Sequence, residues 1–165
     1  MPRLNASRTA QYPLHQEFAF THNAWVVDSV DGAKKTLGST VALSTDPSEP
    51  ALNGPVANTI TFDCLPMPTG AVITGGALIV ETAVAGATAY TVSLGIAGTL
   101  TGLLNAVSAL SAARTALTLT TPLVANAGQN LRATITYAVA NASAGRMRLR
   151  VEYTIDNRSN EVQAA

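Results

Sequence analysis

The 165-residue sequence predicts an all-β domain: two packed antiparallel sheets or a barrel, with one short helix and an extended N-terminal arm. Three observations carry this. Residues Gly145 to Asp156 (GRMRLRVEYTID) alternate without interruption, with Met147, Leu149, Val151, Tyr153 and Ile155 on one side. Roughly eight short apolar or alternating runs recur along the chain, separated by Gly, Pro, Asn and Asp clusters. Finally, the composition is 47% hydrophobic but only 5% aromatic and 12% charged, so the apolar content is mostly Ala, Val, Leu and Ile beside abundant Thr. Such residues pack well on pleated surfaces.

Met1 to Pro13 carries Arg3, Asn5, Ser7, Arg8 and Thr9, with Leu4 and Tyr12 as apolar anchors. It reads as an arm that a partner orders, and residues 14–165 read as a single β-sandwich domain. Phe18 and Phe20 alternate with Glu17, Ala19 and Thr21 in a first strand, and Trp25 and Val27 follow it. Asp31-Gly32 is a turn. Lys34 to Ser44 can form another short strand, with Leu37, Val41 and Leu43 on one side. Thr45 to Pro55 holds three prolines and an Asn-Gly, so it is a surface loop.

Asn58 to Asp63 is a strand with Ile60 and Phe62 facing in, and Leu65-Pro66-Met67-Pro68 interrupts it. Ala71 to Val84 resumes. Its Gly75-Gly76 pair predicts a bulge or a close backbone approach, and its run Ala77-Leu78-Ile79-Val80, apolar on both faces, predicts a central strand. Tyr90 to Gly95 returns as the partner of a hairpin. Gly102 to Arg114 has Leu103, Leu104, Val107 and Leu110 at helical spacing and predicts the short helix. Thr115 to Thr121 is again strand-like. Leu131 to Val139 alternates and, across the small loop Ala140 to Ala144, pairs with the Gly145–Asp156 strand as a closing hairpin.

Net charge is zero, which argues against a general nucleic-acid or membrane-surface binder. No apolar stretch is long enough to span a bilayer and no secretory signal is visible. The low charge points to surface covered by other subunits or to a coat of Thr, Ser and Asn. The basic residues of the second half are all arginine, and Arg146, Arg148 and Arg150 form a row ~7 Å apart on one sheet face. Such a row suits acidic groups of another protein subunit, or a solvated face offset by Glu152 and Asp156.

Chemistry is sparse. The single cysteine, Cys64, excludes an internal disulfide framework and reads as a small buried residue rather than a reactive thiol. His15 and His22, with Glu17, are a weak match to a metal site. Asp63, Glu81, Glu152 and Asp156 could serve glycoside hydrolysis only if they converged in a cleft lined by aromatics. No nucleophile elbow, P-loop or dinucleotide motif is present. The sequence therefore predicts no enzyme, no cofactor and no metal.

The segment Leu65-Pro66-Met67-Pro68-Thr69-Gly70-Ala71-Val72-Ile73-Thr74-Gly75-Gly76, with Tyr90 to Gly95 and the ending Val151 to Glu161, resembles the head decoration, or cement, proteins of tailed bacteriophages. The likeness covers roughly residues 58 to 161. It implies a jelly-roll-like two-sheet sandwich, a trimer, and a structural role outside the major capsid protein lattice of the virion, in a protein made in the host cytoplasm. Its expected contacts are the arm (Arg3, Leu4, Arg8, Tyr12) and the row Arg146, Arg148 and Arg150. A tail-associated or carbohydrate-binding sandwich is the alternative, and it would need an exposed aromatic platform.

Overall fold

The computed structural model describes residues 13–38, 59–119, 124–125, 129–138 and 142–155. These residues form eleven strands and no helix: β1 (Leu14–Thr21), β2 (Trp25–Val27), β3 (Lys34–Thr36), β4 (Thr59–Pro66), β5 (Ala71–Ala85), β6 (Ala89–Ile96), β7 (Thr99–Ser108), β8 (Ala113–Ala116), β9 (Val124–Ala125), β10 (Asn130–Ala138) and β11 (Ala144–Ile155). One sheet has the order β1-β11-β5-β8, with β9 also on β5. The second has the order β4-β10-β6-β7, and β2-β3 is a separate ribbon. Every pairing is antiparallel.

Setting aside β2, β3 and β9, the pairings nest. The first strand pairs with the last (β1 with β11), the second with the next to last (β4 with β10), then β5 with β8 and β6 with β7. Alternate pairs go to opposite sheets. This is the order produced by rolling up one long antiparallel hairpin.

That order corrects both hairpins expected from sequence. β10 and β11 are consecutive alternating strands, yet β10 lies between β4 and β6 while β11 lies between β1 and β5. Likewise β5 and β6 belong to different sheets. Alternation fixes which side chains face the core, not which strand is the neighbour. A small loop can arch across the ~10 Å between packed sheets as readily as it can reverse within one.

The expected short helix over Gly102–Arg114 is also corrected: β7 and the start of β8 occupy it. The register of β7 on β6 shifts on both sides of the Leu94–Leu104 pair, and Ala106 has φ 47°. This irregularity turns the adjacent Leu103 and Leu104 both inward, at 0% and 2% exposure. Two neighbouring core residues with Val107 three further on imitate a helical stripe, although the backbone is extended.

The core is the layer between the sheets. Met147, Leu149 and Val151 of β11 and Leu78 and Val80 of β5 face Ile60, Val92, Leu94, Leu131 and Ile135 of the second sheet, all buried. Each such side chain contributes about 1.5–3 kcal/mol by leaving water. Phe18, Phe20 and Phe62 close one side, with ring centroids 5.6 to 6.3 Å apart. β5 is the central strand that its doubly apolar run predicts.

The Gly75-Gly76 expectation holds. Glu152 faces Gly75 and Tyr153 faces Ile73, so β5 carries an extra residue there. Gly76 adopts φ +137°. A Cβ on it would collide with the Arg150 carbonyl oxygen and lie 2.8 Å from Leu117 Cδ1.

The β2-β3 ribbon is closed at its open end by Leu37 N, which donates to Ala24 O at 2.9 Å, and it is tied to the sandwich at two points. Ser29 N donates to Thr61 O at 2.6 Å. The buried Tyr90 hydroxyl donates to Leu37 O at 2.7 Å. The expected continuation of β3 through Val41 and Leu43 lies outside the described residues.

Candidate interaction surfaces

The outer face of the first sheet is charged, and the alternation of β11 dictates it. With Met147, Leu149 and Val151 turned to the core, Arg146, Arg148 and Arg150 must point out. Register then sets their partners. β1 brings His15 and Glu17 to one side, facing Glu152 and Arg150. β5 brings Glu81 to the other. Arg146 Nε lies 2.8 Å from Glu81 Oε2, and Arg148 Nη2 lies 2.6 Å from Glu81 Oε1. Arg148 also lies 3.6 Å from Glu17, and Arg150 lies 3.6 Å from Glu152 and 3.3 Å from His15 Nδ1.

The row is therefore a cross-strand lattice in which each arginine has a glutamate of the same chain. Exposed pairs of this kind contribute about 0–1 kcal/mol each, so the lattice sets surface character more than stability. Arg148 and Arg150 each keep a buried Nε without a protein acceptor.

The outer face of the second sheet is different in kind. Register aligns Thr59, Thr136, Thr91 and Ser108 across four strands, and Thr61, Thr134 and Ser93 in the next row. Thr61 and Thr134 hydroxyls lie 3.0 Å apart, and those of Thr59 and Thr136 lie 3.3 Å apart. One ion pair, Arg132 Nε to Asp63 Oδ1 at 2.7 Å, marks the end of this uncharged field. The low charge of the composition is thus concentrated on one face.

The third surface is a cleft of about 600 Å³ at the β1/β4 side. Phe18, Phe62, Trp25 and Val27 supply its apolar walls, and Asp63 and Arg132 stand at its polar edge. Trp25 is 59% exposed, with Lys34 Nζ 5.0 Å from its ring centroid. Nothing in the alternation marks Trp25 as the outward member of a three-residue strand. At the ribbon base, Lys35 Nζ lies 2.6 Å from both Asp28 Oδ2 and Asp31 Oδ2. Burial lowers the Lys35 pKa, but hydrogen bonds to the two carboxylates outweigh it and hold the ammonium above the ordinary lysine value. The hydrogen bond from Lys35 holds Asp31 below the ordinary carboxylate range.

The residues weighed for catalysis are dispersed. Asp63 is on the outer face of the second sheet, whereas Glu81 and Glu152 are on that of the first, bound to arginines. Asp156 lies outside the described residues. His15 faces Arg150 and Glu152, and His22 Nδ1 approaches Gly145 O at 3.4 Å on another turn. Among the described residues no three His, Cys, Asp or Glu gather as a metal site, and no helix is long and apolar enough to cross a membrane. Cys64 is buried, its thiol donates to Leu131 O at 3.2 Å, and burial pushes its pKa up to about 12. Of the expected contact residues, Arg146, Arg148 and Arg150 come together as described. Arg3, Leu4, Arg8 and Tyr12 lie outside the described residues.

The fold and these surfaces define an antiparallel β-sandwich with nested strand order, two chemically opposed faces and one apolar edge cleft. Its fold is similar to that of a chain in the solved cyanophage Pam1 capsid asymmetric unit. The TM-score is 0.52 over 93% of this chain and 94% of that one, at 18% sequence identity. No protein-family model matches the chain, and no curated protein does.

Proposed function

We propose that this chain is a structural, non-enzymatic protein of a bacteriophage virion: a jelly-roll capsid decoration, or cement, protein. In this reading it binds as a trimer to the outside of the major capsid protein lattice and braces the shell. The observation that carries the reading is the fold likeness, end to end, to a chain of a phage capsid asymmetric unit. The nested strand order supports it, because rolled eight-strand sandwiches recur in viral capsid proteins. So does the opposition of faces. A hydroxyl-rich uncharged face suits burial against protein, since interface cores are depleted of charge, and the arginine–glutamate lattice suits the polar rim of a contact. Many weak contacts repeated on a closed lattice add up through avidity.

The test is binding of the purified chain to capsids that lack it, followed by cosedimentation and thermal release of packaged DNA. The reading expects saturable binding and a higher release temperature. It also expects weaker binding after deletion of residues 1–13 or after charge reversal at Arg146, Arg148 and Arg150. Capsids that neither bind the protein nor gain heat resistance would refute it. Unchanged binding by either variant would remove that element from the contact.

A second reading has one observation in its favour. Exposed Trp25 beside the cleft is the kind of aromatic surface that a carbohydrate-binding, tail-associated module needs. Lys34 already occupies the neighbourhood of that ring, which leaves less of it for a sugar. Binding on a glycan array that is lost in Trp25→Ala would favour this alternative.

A further inference from the structure

The two sheets meet differently at their two sides. Just past β8, Thr118 N donates to Leu103 O of β7 at 2.8 Å, so backbone bridges that side. β1 and β4 share no ladder among the described residues. There the layers meet through the rings of Phe18 and Phe62, 5.9 Å apart, and the cleft of about 600 Å³ opens beside them. Small-molecule sites occupy about 300–1,000 Å³.

The cleft has an aromatic wall and a polar edge, and both are held in place. Trp25, Phe18 and Phe62 supply the wall. Lys34 Nζ lies 5.0 Å from the Trp25 ring centroid, yet Lys34 does not line the cleft, so the cation braces the indole from elsewhere and the cleft keeps its own share of the ring. At the polar edge, Asp63 Oδ1 accepts from Arg132 Nε at 2.7 Å and Asp63 Oδ2 accepts from Asn130 Nδ2 at 3.2 Å. The two Nη groups of Arg132 have no acceptor among the described residues, and the Arg132 and Asp63 side chains remain 32% and 42% exposed. The pair is electrically neutral. The other carboxylate of the cleft, Asp28, is buried and committed to Lys35.

We propose that this cleft binds a neutral saccharide, with Trp25 as the stacking platform and the Arg132–Asp63 pair as the polar clamp. The C–H face of a pyranose ring is apolar and slightly positive, which suits the negative face of an indole. Its neighbouring hydroxyls both donate and accept. A guanidinium and a carboxylate fixed side by side answer both needs: the Nη groups donate, and the remaining lone pairs of Asp63 accept. A charged sugar gains less, because either sign meets its like in the pair. A wholly apolar ligand would cover the Nη groups without offering them an acceptor, which costs free energy. The proposal deepens the carbohydrate-binding reading above, on whose exposed Trp25 it rests, and it requires no place on the tail.

The experiment titrates the full chain with glucose, galactose, mannose, N-acetylglucosamine, maltose and lactose. The fluorescence of Trp25, the only tryptophan, reports occupancy of the cleft directly, and saturation-transfer NMR observes the sugar. At least one sugar is expected to give a saturable change in both, with a Kd of roughly 1 mM. The double variant Asp63→Ala/Arg132→Ala removes the clamp without leaving a charge unpaired. It is expected to fold, because exposed pairs contribute only about 0–1 kcal/mol, and to bind about tenfold more weakly by NMR. Circular dichroism verifies folding, and Asp63→Asn/Arg132→Gln replaces it if it does not fold. Trp25→Ala is expected to abolish the NMR signal.

The site is overturned if none of the six sugars perturbs Trp25, or if glucuronic acid or glucosamine binds more tightly than glucose. Saccharide binding that needs Trp25 but is indifferent to the double variant would overturn the clamp and leave the broader carbohydrate reading standing. No capsid enters the assay, so the virion role succeeds or fails separately.

Discussion

Gly76→Ala should be among the most damaging single-methyl substitutions in this protein, and Gly98→Ala, made as its control, should be nearly harmless. Both glycines have positive φ, +137° and +89°. They differ in surroundings. Nothing lies within 4 Å of a Cβ built on Gly98, in the β6–β7 turn. A Cβ on Gly76 meets the backbone of β11 at the Arg150 carbonyl, with Val151 Cα at 3.0 Å and Leu117 Cδ1 at 2.8 Å. At Gly98 the backbone strain of about 1–2 kcal/mol is partly offset by the smaller conformational freedom of the unfolded alanine chain, leaving about 1 kcal/mol. At Gly76 the φ penalty is about 1–3 kcal/mol, and forcing β5 and β11 apart adds about 1–3 kcal/mol. The net loss is about 3–4 kcal/mol, a large share of the ~5–15 kcal/mol that holds a domain of this kind together. Equilibrium urea unfolding of both variants measures the difference. If Gly76→Ala costs no more than Gly98→Ala, the close approach of β5 to β11 is wrong, and with it the bulge that sets the register beneath Glu152.

Tyr90→Phe should cost about 1–2 kcal/mol in the same assay, because it leaves the buried Leu37 carbonyl without its donor; a neutral result would mean that the ribbon is not tethered there. Cys64, the only cysteine, should resist iodoacetamide in the native protein at pH 8 and react fully in denaturant, since burial holds its pKa at about 12; intact-mass analysis reads this directly, and rapid native labelling would contradict it. The ribbon should be insensitive to pH across the neutral range. Asp31 is lowered in the fold, so its contribution is present above the unfolded value of about 4 and is lost as pH falls through the folded one. Lys35 is raised, so its contribution is present below the unfolded value of about 10.4 and is lost as pH rises beyond the folded one. The fluorescence of Trp25, the only tryptophan, should therefore hold steady from about pH 5 to 9, and a transition near pH 6–7 would refute this.

What the sequence made legible was the inward and outward sense of each strand. The faces of β11 and β10, the central place of β5, the Gly75-Gly76 bulge and the burial of Cys64 all follow from side-chain period and local chemistry. What it concealed was partnership. The loops Gly86–Thr88 and 139–143 look like hairpin turns because small residues suit any tight reversal, yet the strands they join lie in different sheets. The choice is made by the whole core, which no local window contains. The false helix over β7 has the same origin: register shifts on both sides of Leu104 leave two consecutive leucines of a strand facing inward, and period alone cannot distinguish that from a helical face.

The candidate surfaces divide in the same way. The arginine row was visible as a row, and Glu152 as an offset to it, but the pairing of Arg146 and Arg148 was not, because Glu17 and Glu81 come from strands far away in the chain. The hydroxyl field of the second sheet was spread over four separate segments, each unremarkable alone. Exposed Trp25 was hidden because a three-residue strand is too short for alternation to mark its outward side.

A lattice-wide role in a capsid can be tested by counting. Quantitative mass spectrometry of virions purified from the source of this chain gives its copies relative to the major capsid protein. Near parity is expected of a protein that occupies repeated sites across the shell. Absence from the particle would contradict it, and a few copies per virion would move the chain from the lattice to the tail or the portal vertex.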